Sequence, residues 1–233
     1  MSDRISRRFY VIDYDRCLGN AEQLYALLQQ SVVTVVPEFD LAAMDRERDR
    51  VEATGGSFDE LEYVRQWVTS VQYDMLLRRF VESGRRDPDV LLEAGARELL
   101  TYLKPCYPFG ILTYGSRDWQ LAKISASLPA SVPTVVIDHK YKIRHIKEWK
   151  DATTGLFELQ DVFRQVSGYR YAEEVILVDD KAAAFEGIDA SMRGYWITHR
   201  ELLPSQKGTV GPRVARVSSF PELIALEEVI VSQ

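Results

Sequence analysis

Residues 9–18 read Phe-Tyr-Val-Ile-Asp-Tyr-Asp-Arg-Cys-Leu, so that four apolar residues run directly into Asp13 and Asp15. A short apolar run without polar alternation is typical of a parallel β-strand that is covered on both faces. In open parallel sheets, ligands bind beyond the carboxyl ends of the strands. This segment therefore predicts a buried strand whose end carries an acidic site.

Similar apolar runs recur along the rest of the chain and alternate with helical patterns. The predicted strands after the first span residues 109–112, 133–137, 174–178 and 195–198, with an edge strand at 213–217. Helices are predicted over 89–104 and 118–128, and a last helix near 220–230 opens at the capping pattern Ser219-Phe-Pro-Glu222. This alternation predicts an α/β fold, namely a three-layer, Rossmann-like domain with a mainly parallel sheet.

The stretch from residue 19 to 88 has a different character, because it carries helical patterns and one ambiguous apolar run at 31–36. Helices are predicted over 21–30 and 41–53. A third is predicted to open at the capping pattern Ser57-Phe-Asp-Glu60 and to carry a packing stripe at heptad spacing, formed by Leu61, Val64, Val68, Val71 and Met75. We therefore expect a helical cap at residues 19–88, inserted into a core domain of residues 1–18 and 89–233.

The composition argues against several classes of protein. The 233 residues are 46% hydrophobic and 27% charged with a net charge of −6, which disfavours wholesale disorder and a nucleic-acid partner. No apolar run reaches the ~18 residues of a membrane helix, and none of signal-peptide length follows the basic start. Cys17 and Cys106 are too few for a disulfide framework, and Cys106 is expected to be buried beside the second strand. We expect a cytoplasmic protein without a membrane partner, and the oligomeric state stays open.

Oxygen-bearing side chains stand at the ends of three predicted strands. Asp13 and Asp15 follow the first strand, Thr113 ends the second, and Asp179 and Asp180 end the fourth. Four carboxylates at one sheet edge would repel one another, and a hard divalent cation relieves that repulsion. Mg²⁺ suits a site made of a few carboxylates, waters and a substrate phosphate. The sequence therefore predicts a magnesium site at this edge.

These motifs resemble those of the haloacid dehalogenase (HAD) superfamily over nearly the whole chain. The family's first motif, a strand followed by Asp-x-Asp, is matched at Asp13 and Asp15, with Cys17 departing at the small-residue position. Its second motif, a strand ending in Thr or Ser, is matched at Thr113, and its acidic fourth motif at Asp179-Asp180. The length between the first two motifs suits the helical cap that the family inserts there.

The resemblance implies a Mg²⁺-dependent phosphatase acting on a small phosphorylated metabolite. Asp13 would attack phosphorus to form an aspartyl-phosphate, and Asp15 would protonate the leaving group and then deprotonate the hydrolytic water. Thr113 would bind phosphoryl oxygens. The carboxylates of Asp13 and Asp179 and the backbone carbonyl of Asp15 would hold Mg²⁺, with Asp180 acting directly or through water. Asp15 also separates branches of the family, because its dehalogenases lack a carboxylate at that position and a halide leaves without a proton.

The family's third motif is a lone lysine at the start of a helix, and three lysines follow the predicted strand at 133–137. Lys147 lies at a common family distance from Thr113, whereas Lys142 opens the predicted helix at 143–149. Lys142 is favoured as the lysine that neutralises Asp13 and the phosphate. Lys147 and Lys140 stay open as alternatives.

Two other functions are compatible with the same motifs. A phosphomutase would return the phosphoryl group to the same sugar, which requires the aspartyl-phosphate to outlive attack by water. A non-catalytic binding or scaffold protein would keep the fold with little or no turnover, and the departure at Cys17 permits it. The full set of acidic residues argues against this second alternative.

Overall fold

A computed structural model of the protein describes residues 4–54, 58–199 and 208–231. The strands within these residues are β1 (Ile5–Ile12), β2 (Phe109–Tyr114), β3 (Thr134–Ile137), β4 (Phe157–Glu158), β5 (Tyr171–Asp179), β6 (Met192–Ile197) and β7 (Val214–Val217). The helices are α1 (Ala21–Val35), α2 (Leu41–Ala53), α3 (Glu60–Arg65), α4 (Ser70–Gly84), α5 (Ala96–Cys106), α6 (Arg117–Ser127), α7 (Lys142–Lys147), α8 (Asp161–Ser167) and α9 (Phe220–Val231). Within the described residues, two 3₁₀ turns lie at Pro88–Leu91 and Ala182–Phe185.

The strands form one sheet in the order β3-β2-β1-β5-β6-β7, and all neighbours in this order are parallel. The short strand β4 pairs antiparallel with the first residues of β5. After β1, the strands β2 and β3 add to one side of it in the sheet. The chain then crosses over, and β5, β6 and β7 add to the other side. The point where the strand order reverses therefore lies between β1 and β5, where ligands bind in such sheets. Ile12 pairs with Val178, so Asp13 and Asp179 emerge side by side at this point.

Side chains that alternate along β1 enter two separate apolar layers. Tyr10 and Ile12 belong to one buried cluster, and Phe9 and Val11 belong to the other. Because neither face of β1 meets solvent, the strand is apolar on every residue from 9 to 12. The predicted fold class is confirmed: a parallel sheet lies between two layers of helices.

The helices α1 to α4 lie in the segment between β1 and β2. Their buried residues include Leu28 of α1 and Phe80 of α4, which share an apolar cluster with Ile12 of the sheet. The ambiguous run at 31–36 is largely helical, since α1 continues to Val35. The division into a core and a cap stays a prediction.

The single helix predicted after residue 57 is wrong, because the structure has two helices there. Thr69 caps α4 through a reciprocal pair of hydrogen bonds with Gln72, which ends any continuation of α3. The heptad stripe is also wrong in its second half: Val71 and Met75 are 67% and 56% exposed. The Asp59 side chain caps α3, whereas Ser57, the predicted cap, lies outside the described residues.

Other differences concern shorter features. The predicted helix at 89–104 consists of the 3₁₀ turn at Pro88–Leu91 followed by α5, and the sequence analysis did not predict β4 or α8. Cys106 is exposed, so its predicted burial is wrong, because α5 ends at this residue before β2 enters the sheet. In the part of the chain that the structure describes, no helix combines the length and the apolarity needed to cross a membrane.

Candidate active site

The loop after β1 turns back on itself just beyond the sheet edge. The backbone N–H of Gly19 donates to the carbonyl of Tyr14 at 2.7 Å, and the N–H of Arg16 donates to the carbonyl of Gly19 at 2.9 Å. Arg16 has a φ of 60°, in the left-handed region that side chains other than glycine rarely adopt. A Cβ at residue 19 would lie 2.6 Å from Tyr14 Cζ, so the close approach of loop and ring requires glycine. This loop holds Asp13 and Asp15 at the strand end.

Asp13 lies in a buried three-residue ion cluster. Lys142, the first residue of α7, places Nζ 2.6 Å from Asp13 Oδ1 and 2.5 Å from Asp179 Oδ2. Asp13 is 3% exposed and Lys142 is 5% exposed. The lysine brings one positive charge between two carboxylates that parallel pairing has placed side by side. Without it, the two negative charges would face each other away from solvent.

For Asp13 and for Lys142 alike, burial and the charge of the other residue shift the pKa in opposite directions. Burial raises the pKa of Asp13, and its attraction to Lys142 only partly offsets that effect. For Lys142, burial lowers the pKa, but the charges of Asp13 and Asp179 outweigh it and the pKa is raised. Lys142 is therefore a permanent cation at physiological pH, as a group that neutralises a phosphate must be.

A third carboxylate, that of Asp180, lies close to those of Asp13 and Asp179. Carboxylate oxygens of Asp13, Asp179 and Asp180 lie within 4.8 Å of one another, and all three residues are buried. The backbone around them is fixed, because Lys181 N–H donates to Asp179 Oδ1 at 2.8 Å and Trp196 Nε1 donates to the carbonyl of Asp180 at 3.0 Å. Carboxylates in such number and spacing fit Mg²⁺, a hard cation that prefers oxygen ligands.

The carboxylate of Asp15 lies outside this cluster and faces α6. Lys123 Nζ lies 2.5 Å from Asp15 Oδ1, and Gln120 Nε2 donates to Asp15 Oδ2 at 2.7 Å. Burial alone would raise the pKa of Asp15, but the charge of Lys123 and the hydrogen bond from Gln120 together lower it. The pKa values of Asp13 and Asp15 are thus shifted in opposite directions.

Thr113 ends β2 beside the same residues. Its hydroxyl donates to Gln120 Oε1 at 3.1 Å, and Thr113 is 1% exposed. A threonine hydroxyl has one proton to donate. In this arrangement that proton is directed at Gln120, so donation to a phosphoryl oxygen would require the hydroxyl to rotate.

The other two candidate lysines lie away from Asp13. Lys147 is exposed and lies 3.6 Å from Asp189, and Lys140 is exposed. Burial raises the pKa of the Cys17 thiol, and its Sγ contacts the carbonyl of Val178 at 3.8 Å, so it is no nucleophile. Of the three candidate lysines, the structure brings Lys142 to Asp13.

Sequence reasoning missed Gln120 and Lys123. Both are buried on α6, three residues apart, and therefore share one face of the helix. The signal was present in the sequence, because these two polar residues interrupt the apolar face formed by Trp119 and Ile124. Their partner, Asp15, is more than a hundred residues away in the chain, so the pattern alone could not name it.

Comparison with known proteins rests on structure. No protein-family model matches the chain, and no curated protein matches it. A putative haloacid dehalogenase-like hydrolase from Burkholderia xenovorans superposes with a TM-score of 0.56 at 18% identity, covering 97% of this chain and 99% of that one. The magnesium-bound putative HAD-hydrolase YfnB from Bacillus subtilis superposes with a TM-score of 0.51 at 13% identity, over 95% and 98% of the two chains.

A third similar structure is an L-2-haloacid dehalogenase, with a TM-score of 0.53 at 12% identity over 95% of this chain and 100% of that one. These likenesses cover at least 95% of this chain and at least 98% of each compared chain. The identities are low, so they speak for the fold and not for an activity. The chain has the haloacid dehalogenase-like fold.

Proposed function

We propose that this protein is a Mg²⁺-dependent phosphatase that hydrolyses a small phosphorylated metabolite through an aspartyl-phosphate on Asp13. The observation that carries the proposal is the pairing of the buried Asp13 carboxylate with Lys142 at 2.6 Å, with a second carboxylate, Asp15, two residues further on. The first pair offers a nucleophile beside a fixed positive charge. The second carboxylate offers a group that transfers protons.

In the first step, a carboxylate oxygen of Asp13 forms a bond to phosphorus while the ester P–O bond breaks. The leaving oxygen takes a proton from Asp15. In the second step, Asp15 takes a proton from water, the water oxygen attacks phosphorus, and Asp13 is released with inorganic phosphate. The pKa of Asp15 is lowered beside Lys123, which favours the ionised form that accepts the proton of water in the second step. For the first step the carboxylate must take up a proton from solvent, which it then gives to the leaving oxygen.

The charge of the phosphoryl group needs neutralisation throughout both steps. Lys142 supplies one positive charge next to Asp13. The carboxylates of Asp13, Asp179 and Asp180, with the backbone carbonyl of Asp15, would hold Mg²⁺, which supplies further positive charge to the phosphoryl oxygens when bound. The helices α1 to α4 come between β1 and β2 in the chain, where an inserted cap would close over the site and exclude water. Such a cap favours a small substrate.

Dehalogenation is the main competing activity of this fold, as the similar L-2-haloacid dehalogenase illustrates. Asp15 favours the phosphatase, because a halide leaves without a proton whereas an ester oxygen benefits from one. The three clustered carboxylates also favour a reaction that uses a cation.

The test compares two substrate classes under the same conditions. Phosphate release from p-nitrophenyl phosphate and from acetyl phosphate, and chloride release from L-2-chloropropionate, are each measured with Mg²⁺ and with EDTA. We expect phosphate release that requires Mg²⁺ and no chloride release. Chloride release without phosphate release would assign the site to dehalogenation. If neither product forms and beryllium fluoride with Mg²⁺ fails to raise the melting temperature, the phosphatase proposal fails and the non-catalytic alternative is favoured.

A further inference from the structure

Two residues of α6 each bind one oxygen of the Asp15 carboxylate. Lys123 Nζ contacts Oδ1 at 2.5 Å, and Gln120 Nε2 donates to Oδ2 at 2.7 Å. Because each oxygen has its own partner, both the position and the plane of the carboxylate are fixed. The two partners are themselves rigidly related, since they lie three residues apart on one face of a helix.

The amide of Gln120 has a single possible orientation. Its Nε2 donates to Asp15 Oδ2 and, at 3.1 Å, to the carbonyl of Tyr114, and its Oε1 accepts the hydroxyl proton of Thr113. A flipped amide would set its oxygen against two acceptors. Gln120 is 3% exposed, so no solvent would compensate for that loss. Thr113, Gln120 and Asp15 therefore form one ordered chain of hydrogen bonds.

Lys123 is held by the loop as well as by the carboxylate. Its ammonium lies 5.2 Å from the ring centroid of Trp119, and its backbone carbonyl accepts the hydroxyl of Tyr14 at 3.1 Å. The same hydroxyl lies 2.6 Å from Ser127 Oγ. Consecutive residues of the loop, Tyr14 and Asp15, are thus both bonded to α6.

Packing alone does not account for this arrangement. Lys123 is 5% exposed, and burial of a charged side chain carries a desolvation cost that an apolar residue of similar size would avoid. The residue that receives the benefit is Asp15, the proton-transfer group of the proposed reaction. A proton-transfer group is effective only within hydrogen-bonding reach of the leaving oxygen, in a fixed direction.

We propose that Lys123 and Gln120 are positioning residues that act through Asp15 and aim its carboxylate at the leaving-group oxygen. The inference rests on the proposed phosphatase function and deepens it. Neither residue is assigned a contact with the substrate. Replacing either residue should therefore lower turnover more for an ester whose leaving group needs a proton than for one whose leaving group does not. This loss should vanish in a protein that already carries Asp15→Asn.

Two esters of similar size separate this role from a structural one. Phenyl phosphate has the poorer leaving group and p-nitrophenyl phosphate the better one. Turnover of both is measured for the wild type, Asp15→Asn, Lys123→Met, Gln120→Met and the double variant Asp15→Asn/Lys123→Met. Lys104→Met is the matched control, because Lys104 is an exposed lysine on α5.

We expect Lys123→Met and Gln120→Met to lower kcat for phenyl phosphate at least about tenfold more than kcat for p-nitrophenyl phosphate, as Asp15→Asn does. The double variant should be no slower than Asp15→Asn alone, since both changes remove one function. Lys123→Arg should restore part of the loss. If Lys123→Met fails to fold, the turnover of the two esters by Lys123→Arg is compared with that of the wild type instead.

Equal losses on both esters would overturn the inference and leave Lys123 a structural residue. Multiplicative losses in the double variant would overturn it as well, because they would mean that Lys123 acts independently of Asp15. The proposed function fails in a different way. A wild-type protein that releases phosphate from neither ester would contradict the phosphatase itself, and this inference with it.

Discussion

Lys123 and Asp15 form a 2.5 Å ion pair that joins a loop at the end of β1 to the helix that follows β2. The pair places a positive charge beside the second carboxylate of the site, while Lys142 places another beside the first. Asp13 and Asp15 are thereby separated into two environments, although only one residue stands between them. Asp13 lies with Asp179 and Asp180, and Asp15 lies with α6.

Lys142 is expected to be important for stability as well as for turnover. Lys142→Met leaves Asp13 and Asp179 buried without their shared cation, which should cost about 3–5 kcal/mol in the free energy of unfolding. Mg²⁺ should raise the melting temperature of this variant more than that of the wild type, because the carboxylates then lack their counter-charge. Urea unfolding and melting curves with EDTA or Mg²⁺ measure both effects.

Lys147→Met is the control for that experiment. Lys147 is exposed and lies 3.6 Å from Asp189, so its removal should change the unfolding free energy by no more than about 0.5 kcal/mol. If the two variants unfolded at the same urea concentration, Lys142 would not stabilise the fold by neutralising Asp13 and Asp179.

Glu60 gives the stability a dependence on pH. Burial raises its pKa from 4.5 to about 7, against the opposing charges of Lys123 and Arg48, while the charge of Asp15 raises it further. Between these two values the folded chain holds a proton that the unfolded chain has released, so stability falls as the pH rises from about 4.5 through about 7. Above that range the ionised Glu60 lowers the free energy of unfolding by a constant ~3 kcal/mol.

Glu60→Gln should therefore be more stable than the wild type at pH 8, and the difference should shrink towards pH 5. Unfolding by urea at several pH values measures it. Glu62→Gln is the control, since Glu62 is exposed on the same helix α3 and pairs with Arg65. A stability difference between wild type and Glu60→Gln that stayed constant across pH would contradict the raised pKa.

Gly110 lies in β2 against the ring of Phe163 from α8. A Cβ at residue 110 would come within 2.3 Å of a ring carbon of Phe163, which is itself packed against Phe9 at a centroid distance of 5.0 Å. Gly110→Ala should therefore destabilise the fold by about 1–3 kcal/mol through overpacking. Gly211→Ala, which meets no atom within 4 Å, should be near neutral. Similar melting temperatures for the two variants would show that the packing at β2 gives way freely.

Much of the fold follows from patterns that are local in the sequence. Apolar runs without alternation predict buried parallel strands, and parallel strands bring their carboxyl ends together, so the proximity of Asp13 and Asp179 could be expected. The break between α3 and α4 could not, because heptad spacing continued across it. The Thr69–Gln72 capping box decides that break, and it turns Val71 and Met75 towards solvent.

The site was predicted less completely than the fold. Each motif residue lies at a strand end or a helix start, and such positions are readable in a sequence. Gln120 and Lys123 lie in the middle of α6, where a buried polar residue has meaning only through a partner from another element. The local sequence shows the two polar residues on an apolar helix face, but tertiary packing supplies their partner, which the local sequence does not name.

The central claim is that the Asp13 carboxylate attacks phosphorus in a reaction that requires Mg²⁺. The most direct measurement is phosphate release from p-nitrophenyl phosphate by the wild type, by Asp13→Asn and by the control Asp87→Asn, an exposed aspartate, each with Mg²⁺ and with EDTA. We predict release by the wild type and the control with Mg²⁺ only, and none above background by Asp13→Asn. Release by Asp13→Asn at the wild-type rate, or undiminished release in EDTA, would contradict the account.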